Sequence, residues 1–317
     1  MGFGLALPKL RRQVGDFHGA NEMIRRKTPQ GRIAYVDGRY LPHADASVHI
    51  EDRGLQFADA VYEVCSVNDG LLLDEPGHLE RLARSLGELS IPMPMGRGAL
   101  MAVMREVMRR NRLKDGLIYL QVTRGAYRRD HAIPQHVRPS LIITARSLDP
   151  KTYDKRRADG ISVVTLKDIR WGRCDIKTTG LLPNVLAKTE ARKSGAYEAW
   201  LVDTEGLVTE GASTNAWIVT AKDVLVTRDL KANILAGVTR KGVLAALSRH
   251  GINAIEERAF TLKEAADASE AFITSASGGV IPVVAIDGKP VGSGKPGATT
   301  LRIHSLYREM SLAEAKP

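Results

Sequence analysis

Two side chains with the capacity for covalent and acid–base chemistry lie in the middle of the chain. Lys177 occurs in the segment Arg173-Cys-Asp-Ile-Lys-Thr-Thr-Gly180, and a lysine amine can form a Schiff base with an aldehyde. Glu210 follows 33 residues later in Val208-Thr-Glu-Gly-Ala-Ser-Thr-Asn215. On these patterns alone Lys177 is an ordinary solvated lysine and Glu210 an acid at the edge of a hairpin. Whether Lys177 and Glu210 take part in chemistry or are surface residues therefore depends on the flanking residues and on the elements that position them.

Short apolar runs separated by turn residues predict the elements that hold these segments. The dipeptides Asp37-Gly38 and Asp69-Gly70 predict two tight hairpins, the second between strand residues 60–68 and 71–73. Further strands are predicted at residues 117–124, 139–145, 161–166, 198–202, 208–209, 215–219 and 224–226, and helices at residues 76–89, 97–111, 182–194, 239–250 and 262–266. Because strands and helices follow in irregular order, the sequence indicates an α+β fold.

The length of 317 residues suggests about two domains. We expect a basic amino-terminal extension at residues 1–31, a small α+β domain at residues 32–147 and a larger domain at residues 158–312. Pro150 and several charged residues favour a linker at residues 148–157. The extension is expected to lie outside the fold.

Composition and charge exclude several classes of protein. Hydrophobic residues make up 44% and charged residues 26%, which excludes wholesale disorder. No window approaches about 18 consecutive apolar residues, so we expect no membrane-spanning helix. The net charge of +10 leaves nucleic-acid binding as an alternative, but six basic residues precede Gly31 and no stripe of basic and aromatic residues follows. Cys65 and Cys174 match no metal motif and favour a reducing, cytoplasmic compartment.

The residues around Lys177 resemble the lysine region of the fold-type IV pyridoxal-phosphate enzymes. That family includes D-amino-acid aminotransferases, branched-chain aminotransferases and aminodeoxychorismate lyases. The segment around Glu210 resembles its cofactor-nitrogen motif, and Leu235-Ala-Gly-Val-Thr-Arg240 resembles its phosphate-binding turn. Two earlier segments match its amino-terminal signatures: Glu51-Asp-Arg-Gly-Leu-Gln-Phe-Ala-Asp-Ala-Val-Tyr62-Glu-Val and His78-Leu-Glu-Arg81-Leu. The resemblance covers residues 33 to 310, with five motifs in the family's order.

This resemblance implies pyridoxal 5'-phosphate as the cofactor, at the interface of two α/β domains. Lys177 would hold the cofactor aldehyde as a Schiff base and then move the proton between the substrate Cα and the cofactor. Glu210 would keep the pyridine nitrogen protonated, so that the ring acts as an electron sink.

The resemblance also assigns the cofactor phosphate to the turn Gly237-Val238-Thr239. This turn begins a predicted helix, where free N–H groups and the helix dipole favour an anion. A simpler interpretation makes Thr239 only the helix cap, and the two are compatible. Arg81 would add a charge-assisted contact to the phosphate, unless it is an exposed arginine paired with Glu80 or Glu88.

Two positions depart from the family pattern. Thr274-Ser275-Ala276-Ser277 resembles the last phosphate loop, but Ala276 stands where a threonine is usual, so Ser275 or Ser277 must compensate for the hydroxyl. In Phe57-Ala-Asp-Ala60 relatives often have glycines around the aspartate. Alanine is the mildest replacement, provided that the backbone there avoids positive φ.

The substrate branch depends on the loop Arg124-Gly-Ala-Tyr-Arg-Arg129-Asp-His131. It resembles the loop by which D-amino-acid aminotransferases bind the α-carboxylate, with Arg129, His131 and a tyrosine that matches Tyr62. In that family the loop enters the neighbouring subunit's site, so the resemblance implies a homodimer. The expected reaction converts D-alanine and 2-oxoglutarate to pyruvate and D-glutamate. A branched-chain L-amino-acid aminotransferase and an aminodeoxychorismate lyase are the alternatives.

Overall fold

The computed structural model describes residues 31–231 and 233–316, so the expected extension lies almost wholly outside the described residues. The first sheet contains β1 (Ile33–Val36), β2 (Arg39–Pro42), β3 (Ala60–Asn68), β4 (Leu71–Leu72), β5 (Gly116–Thr123) and β6 (Ser140–Ser147). These strands lie in the order β2-β1-β6-β5-β3-β4, each antiparallel to its neighbours. Both Asp-Gly turns form the predicted hairpins, with positive φ at each aspartate and glycine.

Three helices accompany this sheet: α1 (Arg53–Phe57), α2 (Glu75–Glu88) and α3 (Arg97–Arg110). The predicted apolar faces of α2 and α3 are buried against the sheet, which confirms the two-helix layer. The buried residues that they contribute include Leu79, Leu82, Leu86, Leu100, Met104 and Val107. The short helix α1, which the periodicity did not predict, begins at the cap Asp52.

The second sheet has nine strands and both parallel and antiparallel pairs. It contains β7 (Ile161–Lys167), β8 (Glu198–Val202), β9 (Val208–Gly211), β10 (Asn215–Val219), β11 (Leu225–Thr227), β12 (Ile255–Glu257), β13 (Glu270–Ser275), β14 (Gly279–Ile286) and β15 (Lys289–Pro290). The order is β12-β11-β10-β13-β14-β7-β8-β9, and β15 pairs with β14. The irregular, mixed pairing confirms the α+β class.

Five further helices follow in the chain: α4 (Pro150–Asp159), α5 (Leu182–Lys193), α6 (Val238–Arg249), α7 (Leu262–Ala266) and α8 (Ala298–Glu314). Of these, α5, α6 and α7 lie where the sequence predicts helices. The stretch expected as a linker instead holds α4, which Asp149 caps by accepting from the Lys151 N–H. Because no residue of α4 is buried, it has no apolar stripe to reveal it.

The two sheets meet along β3 and α2. Tyr62 N–H donates to the Lys177 carbonyl at 3.0 Å, and Thr179 N–H donates to the Ala60 carbonyl at 3.1 Å, so the lysine segment is fixed to the start of β3. The Asp74 carboxylate, just before α2, accepts from the hydroxyls of Tyr307 and Ser311 on α8. These contacts enclose a cavity between the two halves. Among the helices of the described residues, none has the length and apolar character needed to cross a membrane.

Candidate active site

A cavity of about 960 Å³ lies between the two sheets and collects most of the predicted site residues. Strands, helix starts and loops from both halves contribute to its wall. The predicted residues that line it are Tyr62, Arg81, Lys177, Glu210, Val238, Thr239, Ser275 and Ala276. The sequence motifs, far apart along the chain, therefore converge on one concave surface, which is the usual form of a ligand site.

The Lys177 side chain lies over the face of Tyr62, with Nζ 4.3 Å from the ring centroid. Tyr62 in turn stacks on Tyr119, with ring centroids 5.6 Å apart. The Lys177 backbone N–H donates to Ser85 Oγ at 3.3 Å, and its carbonyl accepts from β3. The lysine is therefore held at a fixed place in the wall while its amine faces the cavity, half-buried.

A second lysine, Lys188 on α5, also lines the cavity. Its Nζ lies 3.1 Å from the carboxylate of Glu198, which is fully buried and also accepts from Ser213 Oγ at 2.6 Å. Lys188 is thus committed to an ion pair. The structure gives Lys177 no such carboxylate partner within the described residues, so its amine is the freer of the two.

Glu210 lies at the end of β9 and is buried. Its carboxylate accepts from the Arg170 guanidinium, from Asn215 Nδ2 at 2.9 Å and from the Leu235 N–H at 3.1 Å. Burial raises the pKa of Glu210, and the charge of Arg170, the Leu235 N–H and the charge of Lys177 oppose that rise. The carboxylate is therefore held rigidly within the electrostatic reach of Lys177.

Arg170, which the sequence reasoning did not single out, binds the Glu210 carboxylate and also lines the cavity. Its guanidinium also binds both oxygens of Asp168, at 3.0 and 2.7 Å, and Asp168 accepts from Thr209 Oγ1 at 2.8 Å. Asp168 and Arg170 lie two residues apart after β7, a spacing too common in surface loops to have indicated this role. The network fixes the orientation of the Glu210 carboxylate.

The start of α6 offers an open set of donors at another part of the cavity. Gly237 is the N-cap, so Thr239 is not the cap that the simpler interpretation proposed. A Cβ on Gly237 would lie 1.9 Å from Asn215 Oδ1, so only glycine fits there. Thr239 Oγ1 and Thr214 Oγ1 are buried without hydrogen-bond partners in residues 31–231 and 233–316. Unpaired buried hydroxyls beside a helix start suit an anionic group such as a phosphate.

Arg81 is neither exposed nor paired with Glu80 or Glu88. Its Nε and Nη2 bind both oxygens of the buried Glu63 at 2.8 Å, and Nη1 donates to the Ala236 carbonyl at 2.9 Å. His78 Nδ1 lies 2.7 Å from the same carboxylate. Arg81 thereby joins β3 and α2 to the residue before the α6 turn. Glu63 lies in the first amino-terminal motif, directly after Tyr62, but nothing in that motif indicated its pairing with Arg81 and His78.

The last loop presents backbone where the family pattern has a threonine. The Ala276 carbonyl accepts from Ser66 Oγ on β3, which ties this loop to the first sheet. Ser275 Oγ accepts from the Gly278 N–H at 3.2 Å and lies 3.5 Å from Ser277 Oγ. Both serines line the cavity, so compensation by either hydroxyl stays a prediction.

Ala58 does not meet the condition under which alanine would be a mild replacement for glycine. Its φ is +55° in the left-handed cap of α1, where its N–H donates to the Gly54 carbonyl. A Cβ in this region costs free energy that glycine does not incur, so the substitution for glycine is not free of strain here.

Arg129 and His131 do not line this chain's cavity. Both side chains are exposed and lie against Phe57, with Arg129 Cζ 4.9 Å and the His131 ring 5.4 Å from its centroid. Their role in binding substrate stays a prediction, and one chain by itself does not bring them to Lys177.

Known proteins are similar in sequence to this chain over most of its length. A D-alanine aminotransferase of Bacillus licheniformis is 39% identical over 278 residues, which are 88% of this chain and 96% of that protein. One of Staphylococcus haemolyticus is also 39% identical, over 87% of this chain and 96% of that protein.

Solved structures show the same fold. The branched-chain amino acid aminotransferase of Escherichia coli has a TM-score of 0.80 at 24% identity, over 90% of this chain and 96% of that chain. That of Thermoproteus uzoniensis has a TM-score of 0.79 at 26% identity, over the same shares. The family model for class IV amino-transferases matches residues 60–286. This chain therefore belongs to the class IV aminotransferases.

Proposed function

We propose that the protein transfers the amino group of D-amino acids, converting D-alanine and 2-oxoglutarate to pyruvate and D-glutamate. The observation that carries the proposal is the placement of the Lys177 amine in one cavity with the buried Glu210 carboxylate and the open start of α6. The choice of D-amino acids is supported by the relatives named D-alanine aminotransferase.

Pyridoxal phosphate fits the residues of this cavity. Lys177 provides an amine, Glu210 a carboxylate for a ring nitrogen, and the N–H groups of Val238 and Thr239 with the unpaired Thr239 hydroxyl provide phosphate donors. When bound, the cofactor supplies an aldehyde for Schiff-base chemistry and a protonated ring that withdraws electrons from the substrate Cα.

The chain's own residues then hold and move protons. With the cofactor bound, Lys177 Nζ, positioned over Tyr62, would take the proton from the substrate Cα and deliver it to the cofactor C4′, and would move a proton in the opposite direction in the second half of the reaction. Glu210 would keep the cofactor's ring nitrogen protonated, and the Arg170 and Asn215 contacts keep its carboxylate from turning away.

The substrate carboxylate requires cationic donors that one chain's cavity does not receive from Arg129 and His131. Their exposure on the loop after β5 suits a homodimer in which each loop enters the neighbouring cavity. A guanidinium binds a carboxylate through two parallel hydrogen bonds, and His131 supplies one more donor. The buried free thiols of Cys65 and Cys174 support a cytoplasmic location.

A screen of amino donors in both enantiomeric forms tests this function. The purified holoenzyme is assayed with 2-oxoglutarate and D-alanine, L-alanine, D-aspartate, L-leucine and L-valine. We expect D-alanine to react far faster than L-alanine. A preference for L-leucine would assign the chain to the branched-chain group, and elimination of pyruvate from aminodeoxychorismate without amino transfer would assign it to the lyases.

A further inference from the structure

We propose that Arg53 is a positioning residue that sets the grip on the substrate α-carboxylate, by holding the loop that bears Arg129 and His131. The inference rests on the proposed function, because it assumes that this loop binds the carboxylate. Arg53 belongs to the first amino-terminal motif, Glu51 to Val64. Its side chain is 3% exposed, so it does not act as a solvated surface cation.

The Arg53 guanidinium bridges the floor of the cavity and the loop. Nε donates to Asp59 Oδ2 at 2.8 Å, and Nη1 donates to the Asp130 carbonyl at 2.6 Å. Nη2 lies 3.5 Å from the His131 carbonyl. The residue between Arg129 and His131 is therefore fixed through its own backbone. A shift of that carbonyl would move both side chains that are expected to meet the substrate.

Phe57, on the same helix α1, contacts the side chains of Arg129 and His131. Two guanidinium groups lie beside the Phe57 ring: the Cζ of Arg53, on α1, and the Cζ of Arg129, on the loop, are each 4.9 Å from the ring centroid. The His131 ring packs against it with centroids 5.4 Å apart. Phe57 thus lies among all three groups and limits the directions that Arg129 and His131 can take.

The backbone of the helix start is joined to the same loop. Arg53 N–H donates to the Gly125 carbonyl at 2.9 Å, and Tyr127 N–H donates to the Glu51 carbonyl at 3.2 Å. The Asp52 carboxylate caps α1 and accepts from Thr123 Oγ1 at 2.6 Å, at the end of β5. Helix and loop therefore form one unit, in which the Arg53 side chain hydrogen-bonds to the loop backbone between Arg129 and His131.

Arginine is needed here because its planar fork serves Asp59 and the loop carbonyl together. A lysine would keep the charge and could pair with Asp59, but its donors all lie on one nitrogen, so it does not reproduce the separate Nε and Nη1 contacts of Arg53. Arg53→Lys therefore separates the ion pair from the loop contact.

Arg124 provides a matched control. It binds the same carboxylate, Asp59, at 2.7 and 3.0 Å, and it is as buried as Arg53. Its remaining donors reach the carbonyls of Leu89 and Ser90 instead of those of Asp130 and His131. Arg124→Lys thus disturbs the same ion-pair cluster without releasing the Asp130 carbonyl.

The test compares the steady-state reactions of the holoenzyme with D-alanine and with (R)-1-phenylethylamine, a donor without a carboxylate. For Arg53→Lys we expect kcat/KM for D-alanine to fall about tenfold, mostly through KM, as for a lost charge-assisted contact, and the amine reaction to change less than about twofold. Arg124→Lys should leave the ratio of the two donors within about twofold. In an Arg129→Ala, His131→Ala background, Arg53→Lys should cause no further loss for D-alanine.

Equal losses on both donors, an equal ratio change in Arg124→Lys, or a full additional loss in the double-alanine background would overturn the inference. If Arg53→Lys does not fold, Phe57→Leu, which removes the ring but keeps the ion pairs, is expected to show the same selective loss. If the enantiomer screen identifies another amino acid, the proposed function fails but the same cycle runs with that donor, because the α-carboxylate is common to all. A parent enzyme with no amino-acid donor would overturn both.

Discussion

At the residue scale, the site depends on charged groups whose partners are buried with them. Lys177 and Lys188 share the cavity wall, yet only Lys188 is paired with a buried carboxylate. Glu210 is oriented by a guanidinium, an amide and a backbone N–H, so its position does not depend on solvent. The site therefore combines a lysine amine that has no carboxylate partner among the described residues, Lys177, with a carboxylate in a fixed orientation, Glu210.

Glu210→Gln should fold and bind the cofactor but turn over at least about tenfold more slowly, because a neutral amide does not hold the ring nitrogen protonated. The Asp168 contacts still satisfy Arg170 in this variant. Turnover with D-alanine and the absorbance of the bound cofactor are the measurements. Glu198→Gln alters another buried glutamate, the partner of Lys188, and should slow turnover less. Unchanged turnover in Glu210→Gln would remove its assigned role.

The Glu63 carboxylate gives a pH-dependent stability. Burial raises its pKa, but the hydrogen bonds and charges of Arg81 and His78 outweigh burial and lower it from 4.5 to about 2. Because the folded pKa lies below the unfolded one, the stabilisation is present above about pH 4.5 and is lost as pH falls towards 2. Glu63→Gln should reduce the free energy of unfolding by about 3 kcal/mol at pH 7.

Urea unfolding of parent and Glu63→Gln at several pH values measures this dependence, and the two curves should converge as pH falls. Glu106→Gln is the control, because Glu106 also pairs with two arginines, but at the surface, where solvent screens the charges. A difference between parent and Glu63→Gln that stays constant from pH 7 to pH 3 would contradict the linkage.

At the element scale, the sequence predicted the strands and helices that have a turn motif or a periodic apolar pattern. The strands around Asp37-Gly38 and Asp69-Gly70 follow from turn chemistry, and the apolar faces of α2 and α3 follow from spacing. Asp287-Gly288 gives the same turn signal between β14 and β15 and could have revealed that hairpin. α4 buries no residue, and α1 is only five residues long, so neither carries a periodic pattern.

Ala58→Gly should stabilise the protein, since φ is +55° at the end of α1. Relief of the left-handed strain, about 1–2 kcal/mol, exceeds the added entropy of an unfolded glycine, about 0.5–1 kcal/mol, so a net gain of about 1 kcal/mol is expected. Thermal and urea unfolding measure it. Ala102→Gly, at an exposed position inside α3, should show the opposite sign by about 1 kcal/mol. Destabilisation by both changes would show that the Ala58 methyl makes a compensating contact.

At the scale of the whole molecule, residues from both sheets converge on one cavity, and the family motifs predicted which of them do so. Arg170 and Glu63 were not predicted, because their roles arise from long-range pairing that leaves no local signal. The one predicted group that stays away from the cavity is the Arg129 and His131 pair. A homodimer explains that separation if each loop completes the neighbouring site.

Mixing an impaired variant with an inactive one tests this arrangement. Arg129→Ala should lower kcat/KM for D-alanine about ten- to a hundredfold, and Lys177→Ala should abolish turnover. If the loop serves the neighbouring site, a heterodimer has one site with both residues intact. Subunit exchange at equal amounts should then restore about a quarter of the parent activity, because half of the dimers are mixed and each has one intact site of two. No restoration after proven exchange would place the loop in its own site.

The proposed chemistry depends first on Lys177 as the residue that carries the cofactor. The holoenzyme is reduced with sodium borohydride, digested, and its peptides are mapped by mass spectrometry. We expect a pyridoxyl adduct on Lys177, and no adduct in the cavity of folded Lys177→Ala, whose melting temperature serves as the control. An adduct confined to Lys188, the second lysine of the cavity, would contradict it.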